Sequence, residues 1–176
     1  LKASADTALS LINEVLDFEA IEAGKVSPEM RVFTLRELTD RLNTLLSDRA
    51  NKKGLAFSID MGNQCPKRVI GDERKVQQIL INLIGNAIKF TNSGSVDLKV
   101  STRLTDDGAH AMTFEVKDTG IGISTTQQSS IFESFNQADV SIQRRFGGTG
   151  LGLSISKSLA EIMGGSITVS SQPGTG

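Results

Sequence analysis

Two runs of alternating apolar residues constrain this chain more than any other feature. Val96, Leu98 and Val100, with Leu104 beyond them, hold alternate positions of one run, and Met112, Phe114 and Val116 hold alternate positions of the next. Successive side chains of a strand point to opposite faces, so each run carries one apolar face. Asp107-Gly108 lies between them, a dipeptide suited to a tight hairpin because both residues tolerate positive φ. An earlier run, Leu55, Phe57, Ile59 and Met61, alternates in the same way. Strands with one apolar face must lie against a second layer.

The rest of the chain supplies that layer in helical spacing. Thr34 and Glu37 stand three apart, as in a capping box, and open a helix with Leu35, Leu38, Leu42, Leu45 and Leu46 inward; Gly54 closes it. Asp72 is an N-cap for a second helix, in which Val76, Ile79, Leu80, Leu83, Ile84, Ala87 and Ile88 recur at three- and four-residue steps. Residues 1–22 form another. One of its stripes carries Leu1, Ala5, Ala8, Leu9, Ile12 and Leu16, and a second carries Leu11, Val15 and Phe18. So wide an apolar surface fits a helical bundle or dimer, or packing against this same chain. Residues 124–147 are polar and weakly periodic, with Phe132 and Phe135 embedded, the pattern of a functional lid or a disordered loop. A glycine-rich stretch then enters a helix with Leu151, Ile155, Leu159 and Ile162 inward, and Ser166 to Ser171 reads as a last strand. The fold class is α+β: a mixed, largely antiparallel sheet with helices on one face, preceded by an N-terminal helix.

The 176 residues suffice for one domain of ordinary size with an extra element. A net charge of −1 points to neither nucleic acid nor an anionic membrane surface, and the lack of Trp and Tyr argues against base stacking. No apolar run reaches membrane-spanning length, so no membrane contact is expected of this segment. Cys65, the single cysteine, suits a reducing cytosol. Residue 1 already falls inside a helical pattern and the chain stops just after a strand-like run, so the sequence reads as a piece of something longer.

Chemistry enters at the end of the second alternating run. The position after Met112, Phe114 and Val116 on the inward face is Asp118. A carboxylate on an apolar face needs hydrogen bonds. The amino group of a flat apolar ligand such as adenine would supply one; a strand-end cap or a Lys or Arg partner would serve equally. Gly120 and Gly122 follow, suited to a sharp turn or to close approach of a ligand. Gly147, Gly148, Gly150 and Gly152 lead into a helix, where exposed N–H groups and the dipole favour an anion, or where the chain simply hinges. No Walker A motif is present, nor the spacing of a dinucleotide-binding turn. On the helix after Asp72, Lys75, Gln78, Asn82, Asn86 and Lys89 share one side. Amide oxygens are hard ligands able to hold Mg²⁺, and Lys89 would neutralise a phosphate; a solvated polar face is the alternative. Arg144 and Arg145 suit a γ-phosphate, a partner surface or solvent. His110, beside the hairpin tip, is expected to be exposed and inert.

In order, "NLIGNAIKFT", "DTGIGI", "FESF", "GGTGLGLSIS" and "PGTG" resemble the ATP-binding domain of hybrid-type sensor histidine kinases, within the wider group shared with gyrase, the heat-shock chaperone ATPase and mismatch-repair ATPases. The similarity covers roughly residues 30–176. The leading "ALSLINEVLDFEAIEAGK" resembles the second helix of the dimerising, phosphoacceptor hairpin. The resemblance implies two domains, with hairpin helix 1–24 followed by catalytic domain 25–176. It implies a two-layer α/β sandwich and the cofactors ATP and Mg²⁺. Asn86 and Asn82 would hold the metal, and Asn82 and Lys89 would serve transfer. Asp118 would receive the adenine amino group, with Gly120, Gly122, Ile123 and Phe90 around the purine. Phe132 and Phe135 would anchor the lid, with Arg144 near phosphate. Gly148, Thr149, Gly150, Leu151 and Gly152 would line the triphosphate.

The implied partners are a histidine-bearing helical hairpin, in a homodimer of the whole protein, and a response-regulator receiver domain. The implied location is cytoplasmic, with a parent protein that is free or membrane-anchored. The acceptor histidine belongs on a helix before residue 1. A last glycine box ending at Gly176 puts one polar contact near adenine in doubt. In hydrolysing relatives a glutamate one turn before the metal-binding asparagine activates water; Asn82 stands there instead and takes no proton at neutral pH. Slow ATP hydrolysis is therefore expected.

Overall fold

The computed structural model describes residues 2–106, 110–134 and 150–176, and within the first helix it describes side chains from Ile12 onward. The chain divides into two compact units, Met30–Ser124 with Ser171–Gly176, and Leu1–Glu29 with Thr125–Ser170.

The first of these is two-layered. Strand β1 (Arg31–Thr34) runs into helix α2 (Leu35–Lys52), and strands β2 (Ala56–Met61) and β3 (Arg68–Gly71) precede helix α3 (Glu73–Phe90). Strands β4 (Ser95–Leu104) and β5 (His110–Asp118) follow. β2 pairs parallel with β4, and β4 antiparallel with β5. β1 and β3 form a separate antiparallel ladder. Both helices pack on the sheet's apolar face. Leu38, Leu42, Leu80, Ile84, Val96, Leu98 and Val100 meet there with no more than 1% of their surface exposed.

Local signals set the helix ends. The Thr34 hydroxyl accepts from the Glu37 N–H at 3.3 Å, so the capping box forms at its first half. Asp72 accepts from the Lys75 N–H at 3.0 Å and caps α3. Gly54, at φ 70°, closes α2: its N–H bonds Asn51 O, and the Leu55 N–H bonds Ala50 O, the paired bonds of a left-handed helix end.

In this unit sequence and structure part in three places. Leu45 is 51% exposed, because the buried stripe steps from Leu42 to Leu46 and leaves Leu45 off its edge. Leu104 is 63% exposed, because β2 ends its pairing at Met61 opposite Val100, and β4 runs beyond the two-layered region. The short strands β1 and β3 were not expected: Val32 and Ile70, directly opposite on their ladder, face solvent, so neither carries a clear apolar rhythm.

In the other unit, α1 (Lys2–Glu22) packs against α5 (Gly152–Ile162), with the single turn α4 (Thr125–Gln128) between them in sequence. Ser154, Ile155, Ser156, Leu159 and Ala160 are the buried face of α5. Ile167 and Val169 alternate in burial with their exposed neighbours, as expected of a strand, yet Ser166–Ser171 makes no ladder among the described residues.

Candidate nucleotide site

The end of β5 and the end of α3 meet at Asp118. Its Oδ1 accepts from the Gly120 N–H at 2.8 Å and from the Thr91 hydroxyl at a long 3.5 Å. Thr91 is fully buried at the end of α3. Among the described residues no arginine or lysine forms an ion pair with Asp118. The carboxylate is therefore oriented by a hydroxyl and an amide, both neutral donors, and both bonds fall on one oxygen. The second oxygen keeps its acceptor capacity.

Glycine is required twice in the following turn. A Cβ on Gly120 would stand 2.7 Å from Asp118 Oδ1 and 2.7 Å from the Phe90 carbonyl oxygen. Gly122 has φ 67°, and a Cβ there would come within 2.0 Å of the Gln172 carbonyl oxygen. The C-terminal turn braces this loop from behind. The Gly174 N–H donates to Ile121 O at 2.8 Å, and Ser171 Oγ accepts from the Ile123 N–H at 2.8 Å while donating to Gly176 O at 2.8 Å. Ser171 and Thr91 were not singled out by sequence. Thr91 sat inside the quoted motif, but a hydroxyl after a helix end is common and only the fold points it at an acid.

One turn earlier on α3, Asn86 Nδ2 donates to Asn82 Oδ1 at 3.3 Å, so the two amides lie together as their spacing predicts. Both are half-buried. That bond uses the nitrogen of Asn86 and leaves its amide oxygen able to accept. Among the described residues no cluster of His, Cys, Asp or Glu could hold a metal, so a cation here would rest on amide and phosphate oxygens. That donor set fits Mg²⁺, which takes few protein ligands. Lys89 lies 4.9 Å from the centre of the Phe90 ring, a cation–π arrangement. Lys75 is spent elsewhere: its ammonium pairs with Asp72 at 2.7 Å at the cap.

In the other unit, Gly150 takes φ 76° and leads through buried Leu151 into Gly152, the first residue of α5. The N-cap position is Leu151, which offers no side-chain acceptor to the first turn. Phe132 is half-buried in the turns after α4. The expectations for Phe135, Arg144, Arg145, Gly148 and Thr149 lie outside the described residues. His110 is exposed, with Nδ1 3.1 Å from the Thr102 hydroxyl.

This chain is similar to known proteins over all of this ground. Residues 71–176 match the family model described as histidine kinase-, DNA gyrase B- and HSP90-like ATPase. The chain therefore belongs to that ATPase family. Over its whole length it is 45% identical to the signal transduction histidine-protein kinase BarA of Escherichia coli K12, of which it spans 19%. Among solved structures it superposes on full-length ShkA in complex with AMPPNP with a TM-score of 0.85 at 35% identity, covering 98% of this chain and 35% of that one. The histidine kinase ThkA in complex with the response regulator protein TrrA gives a TM-score of 0.67 at 25% identity, covering 92% of this chain and 43% of that one. The chain thus spans about a fifth of that relative's length. No described helix is long and apolar enough to cross a membrane.

Proposed function

We propose that this chain is the ATP-binding catalytic part of a hybrid-type histidine kinase, acting in the cytoplasm. In this reading residues 25–176 bind Mg-ATP, and residues 1–24 are the second helix of a dimerising hairpin whose first helix carries the acceptor histidine. The observation that carries the proposal is Asp118: a carboxylate set by Thr91 and Gly120 without a cationic partner among the described residues, at the mouth of a turn that only glycine can build.

Asp118 accepts from the adenine amino group through the oxygen that Thr91 and Gly120 leave available. Gly122, Ile123 and Phe90 border the purine. Asn86, with Asn82 beside it, would hold a Mg²⁺, and that ion would offset phosphate charge. Lys89 contacts phosphate, and in the other unit the start of α5, with Gly150, Leu151 and Gly152, offers N–H groups suited to phosphate oxygens. Gly148 and Thr149 are expected beside the triphosphate, and Arg144 and Phe135 in the lid segment 124–147. The bond from the γ-phosphorus to the β–γ bridging oxygen breaks, a bond from phosphorus to an imidazole nitrogen forms, and ADP departs. Phosphoryl transfer needs alignment and charge compensation more than covalent help from the protein. Asn82 cannot take a proton from water, which favours transfer to imidazole over hydrolysis. A response-regulator receiver domain then accepts the phosphoryl group, in keeping with the ThkA–TrrA complex.

The test mixes this chain with γ-labelled ATP and a separate histidine-bearing helical hairpin. Label on the hairpin, with little free phosphate, is the expected result. Free phosphate without labelled hairpin would replace the kinase reading with that of a hydrolysing ATPase, and binding without either product would leave a nucleotide-binding module.

A further inference from the structure

We propose that Lys53 is a positioning residue for purine recognition, acting through the C-terminal end of α3. The inference rests on the reading of Asp118 as the adenine acceptor.

Lys53 leaves the chain where α2 ends, beside the left-handed turn at Gly54. Its ammonium does not serve its own helix. It donates to three carbonyl oxygens at the end of α3: Ile88 O at 2.7 Å, Lys89 O at 2.9 Å and Thr91 O at 3.0 Å. An ammonium has three hydrogens, and each has an acceptor. The last carbonyls of a helix have no partner within it and carry the negative end of the dipole, so a cation there is favoured. The remaining carbonyls of this end are met by backbone: Ala87 O by the Thr91 N–H at 3.0 Å, and Phe90 O by the Ile121 N–H at 3.4 Å. Lys53 thus adds a side chain to a capping set in which Ala87 O and Phe90 O are met by main chain.

The consequence runs through Thr91. Its carbonyl is held by Lys53 and its hydroxyl points at Asp118 Oδ1. At 3.5 Å that hydroxyl contact lies at the limit of a hydrogen bond, so a small displacement of Thr91 breaks it. Released, Asp118 keeps only the Gly120 N–H and gains freedom to turn. Lys53 touches neither nucleotide nor metal in this account. It sets the direction from which Asp118 meets the base.

The experiment measures the binding of Mg-ATP and of the same nucleotide lacking the 6-amino group, to the 176-residue chain and its variants. The ratio of the two dissociation constants reads the amino-group contact alone. Lys53→Met lowers that preference by about tenfold, the scale of one weakened hydrogen bond to a charged group, while affinity for the amino-free nucleotide stays nearly constant. Lys53→Arg, which still donates to carbonyls, retains most of the preference. A purely structural role would weaken both nucleotides alike and leave the ratio unmoved. Should Lys53→Met fail to fold, Thr91→Val removes the hydroxyl at nearly constant shape and lowers the ratio by a similar factor. An unchanged ratio in Lys53→Met, or in Thr91→Val, overturns the inference. Asp118→Asn separates the two failures. If it abolishes the preference while Lys53→Met does not, only the role of Lys53 falls; if it leaves the preference intact, the adenine reading falls, and this inference with it.

Discussion

Helix α3 keeps Ile79, Leu80, Ile84, Ala87 and Ile88 out of solvent, whereas in α1 Ile12, Val15 and Leu16 are 55%, 46% and 61% exposed. Both helices are long and both carry apolar stripes. The difference lies in what meets those stripes. Those of α3 face α2 and the sheet of its own unit, and both its ends are capped by named groups. α1 closes with an equally well-made turn: Gly24 takes φ 63° and Lys25 N–H bonds Ala20 O at 3.0 Å. Its apolar side chains nevertheless remain in view, although α1 packs against α5. Among the described residues, then, the turn that ends α1 is specified while its stripe is only partly covered. That supports reading residues 1–24 as part of a bundle.

The contrast can be broken most sharply in the core. Ile84→Ala, at a position with no exposed surface, costs about 2–5 kcal/mol of stability from the lost methyls and the cavity left behind. Chemical denaturation of the unit holding α3 measures it. A cost below about 1 kcal/mol would mean that α3 is no better packed than α1. A smaller effect is expected at the cap. Asp72→Ala removes the acceptor of the Lys75 N–H and the partner of a Lys75 ammonium whose side chain is only 15% exposed, and lowers stability by about 1–2 kcal/mol. The smallest change is expected in α1, where Leu16→Ala shifts the stability of this chain by less than about 0.5 kcal/mol. The same substitution weakens dimerisation once a preceding hairpin helix is joined to residue 1, by analytical ultracentrifugation. Loss of stability in the short chain without any effect on the dimer would assign α1 to intramolecular packing instead.

Period and capping made much of this architecture legible. Val96, Leu98 and Val100 announced a buried face, and Thr34, Asp72 and Gly54 announced helix ends. The same rules placed Asp118 inward, since register alone carries it there from Met112, Phe114 and Val116. The misses have a common cause, which is dependence on a neighbour that sequence does not name. Leu104 alternates correctly but runs past the end of β2. The strands β1 and β3 are four residues each, too short for a rhythm, and exist because they pair with one another. Lys53 is a basic residue just past the end of α2, and nothing local says that it caps a different helix. Thr91 and Ser171 are of the same kind: hydroxyls whose meaning depends on a loop elsewhere in the chain.

The measurement that bears most directly on the central claim is calorimetric titration of the chain and of Asp118→Asn with Mg²⁺ and a non-hydrolysable ATP analogue, the variant's fold checked by circular dichroism. The account predicts saturable binding by the parent chain and a loss of about 10- to 100-fold in the variant, the scale of a hydrogen bond to a charged acceptor. Equal affinity in the two would contradict it, since the carboxylate at the end of β5 would then have no part in holding the base.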